Sequence, residues 1–463
     1  MFYTPTLLHP WGPPHAQVFP AVRRWHGDAV ASSFERILPA TRVYRTDDEF
    51  DPHQPLALHS VTSCDLAAPA GTNLRCESSA VLGPAGRVFY VSQGSVYVWT
   101  SGASRRPVMP QTYPPLPPPA AAPLSAVFRI PLDGAAPSAI KTAGVPIDQM
   151  SFLEDERGHL NVLVREAGAG EGMWGGESTR GGLALLRVPL AAFGDGRGAA
   201  QREHYRALPA VRGHALQNRF VGDWLVWGGG LSGRRSEVPL HESPYERPRH
   251  REAANAWALR YADSRAPQPL HPGHAVERIE AMGSDAVLVG NAGADLHFSS
   301  VRVRADAASL AARHVQGNAS QGETRTHGFF YRATSRDEGL LGLPVLGGAG
   351  SRRHGVYAGG QGAASVVYLR QRDLAFTALG ELHARGGPAI DDQCKASCVD
   401  WYGNARPIFM GDRIFALLGY ELVEGALTPQ AWGERIDERR RVSFAPHAPM
   451  APVREGRYSP FTN

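Results

Sequence analysis

The sequence predicts an all-β fold, a β-propeller of about seven four-stranded blades, on three observations. Two short apolar patterns alternate along most of the chain. They recur with a period of about sixty residues, as one repeated supersecondary unit does. Glycine and proline, 51 and 37 of the 463 residues, punctuate the chain too densely for a helical bundle.

The first pattern is a turn led by Gly, Asp or Ser that runs into a short apolar stretch. It occurs at 86–91, 158–164, 222–227, 284–289, 338–343 and 411–418. These stretches are apolar at successive rather than alternate positions, so each reads as a strand buried on both faces. The second pattern follows each copy and sets an arginine after an apolar triplet, giving Arg129, Arg187, Arg260, Arg302 and Arg370. A residue repeated at the same place in every unit reads as architectural rather than as a single site. A turn and a further strand complete each unit, as at Asp133-Gly134 leading into 138–141. The sixth copy runs from Tyr420 to a last strand at 441–444.

A seventh outer hairpin is expected from 60–64 and 73–76, which sets Cys64 and Cys76 on neighbouring strands within reach of a bridge. Its inner strands would come from 34–38 and 42–45, or from the C-terminal segment closing a ring. The expected organisation is an N-terminal extension over 1–33, a propeller over 34–444 and a tail over 445–463, with six or eight blades as the neighbouring counts. Insertions rich in Gly or Pro, at 101–124, 168–182, 228–255, 346–364 and 384–400, are expected at the rims.

Several runs carry a resemblance to a known family. They include Phe34-Glu35-Arg36-Ile37-Leu38-Pro39-Ala40, Gly83-Pro84-Ala85-Gly86-Arg87-Val88-Phe89-Tyr90-Val91-Ser92 and Leu216-Gln217-Asn218-Arg219-Phe220-Val221-Gly222-Asp223. Asp148-Gln149-Met150-Ser151-Phe152 leading to Leu160-Asn161-Val162-Leu163-Val164-Arg165, and Cys398-Val399-Asp400-Trp401-Tyr402-Gly403-Asn404, match best. Together, over most of 34–444, the chain resembles bacterial secreted proteins with a C-terminal β-propeller domain distantly related to WD-40 repeats. These are signatures of blades rather than of a reaction. The resemblance implies the fold and an extracytoplasmic address.

Composition narrows the function classes. The net charge is +4, and the arginines fall in scattered pairs rather than in the basic stripe that nucleic-acid binding needs. Only Lys141 and Lys395 are lysines, which reads as the codon bias of a GC-rich bacterial genome rather than as selection for phosphate contacts. No apolar run reaches the length of a transmembrane helix. The first residues, Met1 to Pro5, show neither the charged n-region nor the apolar h-region of a signal peptide. This leaves a cytosolic protein, a signal already removed, or one upstream of this start. The four cysteines fall in two local pairs, Cys64 with Cys76 and Cys394 with Cys398. Two local disulfides suit an oxidising compartment; free thiols and a shared metal are the other readings. Taken together, these features place the chain outside the cytoplasm: periplasm, cell surface or secreted.

No catalytic signature is present. Gly230-Leu231-Ser232-Gly233 lacks the spacing of a nucleophile elbow. Gly168-Ala169-Gly170-Glu171-Gly172 falls short of a dinucleotide loop, and His241-Glu242 lacks the second histidine of a zinc motif. Asp47-Asp48-Glu49 with Asp51 carries the oxygen ligands of a calcium loop, though such clusters are commonly solvated. Asp155-Glu156-Arg157-Gly158 reads as a β-turn, and Trp224 and Trp227 read as core.

Aromatics near loops are the better lead, because exposed rings stack on sugars and anchor interfaces. Trp174, Trp401 and Tyr402 are the candidates, the last two with inter-blade packing as the alternative. His159 and His327, with His214, stand near blade starts where they could converge on a central channel. The expected function is a non-catalytic binding platform for a protein or a cell-surface glycan, without cofactor or metal. The alternatives are a hydrolase or lyase acting on a glycan or lactone in the channel, and a structural subunit of a cell-envelope assembly.

Overall fold

The structure is a computed structural model that describes residues 1–8, 19–23, 34–48, 50, 55–67, 75–102, 125–167, 180–211, 215–230, 255–347, 365–385, 405–431 and 433–444. Among these residues the chain forms β-strands joined by turns and single-turn 3-10 helices, with no α-helix. The strands make seven sheets of four or five strands and one two-stranded pair. The chain divides into two compact units, Met1–Ala210 with three of these sheets and Val211–Asn463 with four.

In the first unit, sheet 1 runs in the order Phe2–Leu8, Leu56–Asp65, Arg75–Pro84 and Val43–Tyr44. Its central hairpin sets Cys64 directly opposite Cys76, and the two form a disulfide with Cα atoms 4.1 Å apart. Cys394 and Cys398 lie outside the described residues. Of the two inner strands expected for this sheet, 42–45 supplies Val43–Tyr44, whereas Glu35–Arg36 pairs with Ala21–Val22. The sheet's other edge is filled by Phe2–Leu8.

Sheet 2 contains Gly86–Val91, Ser95–Ser101, Ser125–Pro131, Ser138–Thr142 and, parallel to the last, Asp195–Ala199. One reading from sequence is corrected here. The stretch at 86–91 is an edge strand, whereas the equivalents of its supposed repeats are second strands; Ser95–Ser101, buried at every position, holds that place. Polar residues at Ser95, Tyr97 and Thr100 hide its buried character in the sequence. Sheet 3 follows, with Val145–Pro146 and Phe152–Asp155 both on His159–Ala167, then Arg180–Pro189 and Tyr205–Leu208.

The alternation of side chains along a strand explains the doubly apolar pattern. Val96 and Val98 pack with Phe128 against Val61 and Val81 of sheet 1. Tyr97 and Trp99 of the same strand pack against Phe152, Leu160 and Val162 of sheet 3.

The second unit repeats this arrangement. Sheet 4 is Ala215–Val221, Trp224–Gly230, Ala256–Arg260 and Gln268–Leu270; sheet 5 is Arg278–Met282, Asp285–Ala292, Asp295–Val303 and Ala308–Gln316. Sheet 6 joins Ala319–Gln321 and Phe330–Ala333 to Glu338–Gly347, followed by Ser365–Arg372 and Ala375–His383. Sheet 7 is Ala405–Met410, Arg413–Leu418, Glu421–Gln430 and Gly433–Ser443. Leu288 faces Val226 of sheet 4 while Val287 and Val289 face Leu341 and Leu343 of sheet 6. Leu340 and Tyr368 then face Ile414 and Ala416 of sheet 7.

Trp224 and Trp227 are buried as expected. The glycines at 228–230, expected to open an insertion, instead finish the strand Trp224–Gly230. A Cβ on Gly228 would stand 2.9 Å from Val276 and 3.1 Å from the Asn255 carbonyl, so only a bare backbone fits.

The repeated arginines are ties. Arg129 donates to Ser95 Oγ at 2.9 Å, and Arg187 to Asp155 and Asn161 at 2.5 Å. In the second unit the same position reaches the following sheet: Arg260 to the Ala305 carbonyl at 2.7 Å, Arg302 to Asp373 at 2.9 Å, Arg370 to Glu434 at 2.5 Å.

The disulfide closes a loop of sequence separation 12. Replacing both Cys64 and Cys76 with serine is expected to cost about 3 kcal/mol, the loss of loop-closure constraint for a loop of this size. Urea unfolding of the oxidised parent and the variant measures it, and reducing the parent should reproduce the loss.

Candidate functional site

In the second unit, charged residues are carried on the first strands of sheets 4 and 5, in the turn opening sheet 6 and on the first strand of sheet 7. Sheet 4 supplies Arg219, and sheet 5 opens with Arg278-Ile279-Glu280. Sheet 6 opens through Gln321-Gly322-Glu323-Thr324-Arg325-Thr326-His327, and sheet 7 supplies Arg406. A strand's period of two sends Ile279 into the core between sheets 4 and 5, which frees Arg278 and Glu280 for the opposite side.

Arg278 is the centre of this cluster, only 3 % exposed. It donates from Nε to Gln321 Oε1 at 2.7 Å and from Nη1 to Glu280 Oε1 at 2.9 Å. Its Nη2 donates to the carbonyls of Glu323 and Arg325 at 2.7 and 3.0 Å. Glu280, also buried, accepts from Arg219 through its other oxygen. One carboxylate therefore serves two guanidinium groups. Glu323, 3 % exposed, accepts from the Arg325 backbone N–H and from its Nε and Nη2 at 2.8, 3.1 and 2.9 Å. Gln321 also donates to Glu277 at 3.4 Å, and burial raises that carboxyl's pKa.

His327 Nε2 lies 3.3 Å from Glu323 Oε2 but is out of hydrogen-bond alignment, and this buried nitrogen has no hydrogen-bond partner. Burial lowers the His327 pKa; Glu323 opposes this, and the charges of Arg406 and Arg325 add to it. Arg406 forms no ion pair among the described residues, and its Nε is buried without a partner. Among the described residues the cluster sets four arginines beside three glutamates.

The expected site residues fall as follows. His327 belongs to this cluster. His159 lies in the first unit at a hairpin turn, its ring nitrogen Nδ1 3.1 Å from the Arg157 carbonyl and its backbone N–H on Asp155 at 3.0 Å. The turn itself closes from Gly158 N–H to the Asp155 carbonyl, as read from sequence. Trp174, Trp401, Tyr402 and His214 lie outside the described residues. Asp47 and Asp48, considered for calcium, are both bound to Lys141 at 2.7 and 2.6 Å. Among the described residues no group of three or more His, Cys, Asp or Glu side chains is placed to hold a metal ion. Arg278, Glu280, Glu323, Arg325 and Arg406 were not singled out from sequence; their signal is charge at alternate positions of segments flanked by buried strands.

No protein-family model and no curated protein sequence matches the chain. Among solved structures it is similar to a polysaccharide lyase of family PL25, an ulvan lyase, at 12 % identity with a TM-score of 0.26. The match covers 77 % of this chain and 82 % of that one. The same lyase bound to -[GlcA(1-4)Rha3S]- matches at 11 % identity and the same TM-score.

A second histidine group lies between sheets 4 and 5. His274 and His297 stack with centroids 5.4 Å apart. Nδ1 of His274 donates to the Ala275 carbonyl at 2.6 Å, and in the neutral ring Nε2 then accepts from the Ser299 hydroxyl at 2.8 Å. Burial is the main cause that pushes His274 down to about 4, and His297 and Arg313 add to it.

Two outcomes are expected. Glu280→Gln removes the counter-charge that Arg219 and Arg278 share, and should destabilise the protein by about 3 kcal/mol in urea unfolding. For His274, the unfolded ring takes a proton near 6.5 that the folded ring refuses until about 4. Its contribution is therefore complete above 6.5 and is lost as pH falls toward 4, by about 1.4 kcal/mol per unit. Unfolding free energies measured across that window should slope less in His274→Asn than in the parent.

Proposed function

We propose that the seven sheets close into a β-propeller, that the chain works outside the cytoplasm, and that it is a recognition platform rather than an enzyme. Its ligand, a protein or a cell-surface glycan, is contacted at the charged cluster of the second unit. The observation that carries this reading is the convergence of Arg219, Arg278, Glu280, Glu323, Arg325, His327 and Arg406 from four successive sheets. Burying so many polar groups costs stability unless they are tightly paired, so their retention points to recognition. The propeller is supported by consecutive face-to-face packing of the sheets within each unit and by the sheet count. The Cys64–Cys76 disulfide supports the address, as does the resemblance to secreted propeller proteins.

A second reading, acid–base catalysis on a bound glycan, is favoured by one observation. His327 is held toward its neutral form beside the buried carboxylate of Glu323, an arrangement suited to accepting a proton.

A thermal-shift panel of cell-wall and acidic glycans tests both, since only a ligand of the folded state raises the melting temperature. The platform reading expects a shift with at least one glycan that His327→Gln or Arg325→Met diminishes, and no new reducing ends on prolonged incubation. New reducing ends that vanish in His327→Gln would transfer the assignment to catalysis. A flat panel, with capture of a defined envelope protein instead, would make the ligand a protein.

A further inference from the structure

We infer that Arg406, His327 and Arg325 form a subsite for one small oxyanion, a carboxylate or a sulfate group carried by the ligand. The inference rests on the reading of this cluster as the ligand site and names the chemistry that it takes. It starts from how the charges are matched. Glu280 is divided between Arg219 and Arg278, with both oxygens engaged. Glu323 is taken by three N–H groups of Arg325. Arg406 has no carboxylate partner among the described residues, although its Nε is hidden from solvent and makes no hydrogen bond. A guanidinium desolvated at one nitrogen and left without an acceptor is unfavourable unless an anion completes it.

The second observation is His327. Its Nε2 is buried with Glu323 Oε2 3.3 Å away and makes no aligned hydrogen bond, yet the side chain as a whole is 29 % exposed, so a ligand has a route to the ring. Arg406 and Arg325 lie near enough for their charges to act on the ring, and Glu323 is the carboxylate that faces it. The unmet donor of Arg406, beside Arg325 and a histidine ring that can take up a proton, selects an acceptor-only group. A planar carboxylate or a tetrahedral sulfate meets an arginine through two oxygens; a neutral hydroxyl does not. An anion seated there also offsets the positive field at His327, so its binding should draw a proton onto the ring. Affinity should then rise as pH falls toward the histidine range.

Calorimetric titration of the full-length protein with sodium sulfate and with sodium glucuronate, at chloride-matched ionic strength, tests the inference. Glucose serves as the neutral control. Saturable binding of either anion is expected, with heats that depend on the buffer's ionisation enthalpy because of the proton taken up. Sulfate alone binding would assign a sulfated ligand; glucuronate alone would assign a carboxylated one. Arg406→Leu should weaken binding at least about tenfold. If that variant does not fold, Arg406→Lys decides, because it keeps the charge and loses the planar fork: weakened binding supports the subsite and unchanged affinity overturns it. No binding of either anion by the parent overturns the inference, as does binding that Arg406→Leu leaves intact. A neutral glycan that binds and depends on Arg325 or His327, without any anion response, would overturn this inference and leave the recognition reading standing.

Discussion

The fold depends on one constraint: interior sheets are covered on both faces. Sheets 2, 5 and 6 each have a neighbour on either side, so their second and third strands must be apolar at successive positions. Val96 and Tyr97, Leu288 and Val289, Leu340 and Leu341 are such pairs, with each member serving a different core. A strand built in this way carries charge toward its end, as the ties at Arg129, Arg302 and Arg370 do. Other charge is displaced to the first strands and to the turns, where the arginine cluster is found.

That displacement also governs what the sequence could reveal. The buried strands announce themselves, because unbroken apolar runs between Gly or Asp turns repeat at a constant distance. The hairpin of sheet 1 was legible for the same reason, and its cysteines fell at matching positions. The start of sheet 2 was misread because Ser95, Tyr97 and Thr100 dilute a strand that is wholly buried, while the edge strand beside it looks more apolar. Tyr97 escapes the cost of a buried hydroxyl by donating to Glu154, a partner 57 residues away.

The charged cluster was legible only at His327. Arg278 is unremarkable in sequence until its four acceptor residues are brought together: Glu280, Gln321, and Glu323 and Arg325 of the turn. No local spacing encodes a meeting of four sheets. What the sequence does carry is indirect, namely Arg-x-Glu and Glu-x-Arg-x-His on segments too short and too charged to be core. Such segments, flanked by doubly buried strands, mark the places where a sheet turns a polar edge toward its neighbours.

The arginine ties of the second unit bear on how such a chain can be inherited. Arg260, Arg302 and Arg370 each belong to one sheet and find an acceptor in the next. The segment that must be copied together is therefore out of phase with the sheet: it begins within one and ends beyond the acceptor turn of its successor. A duplication or deletion cut at sheet boundaries would part donor from acceptor at both junctions. The spans Arg260 to Ala305, Arg302 to Asp373 and Arg370 to Glu434 overlap in sequence, so any breakpoint between 260 and 434 parts at least one donor from its acceptor, and gain or loss of a unit requires a tie to re-form with the sheet newly placed next in line.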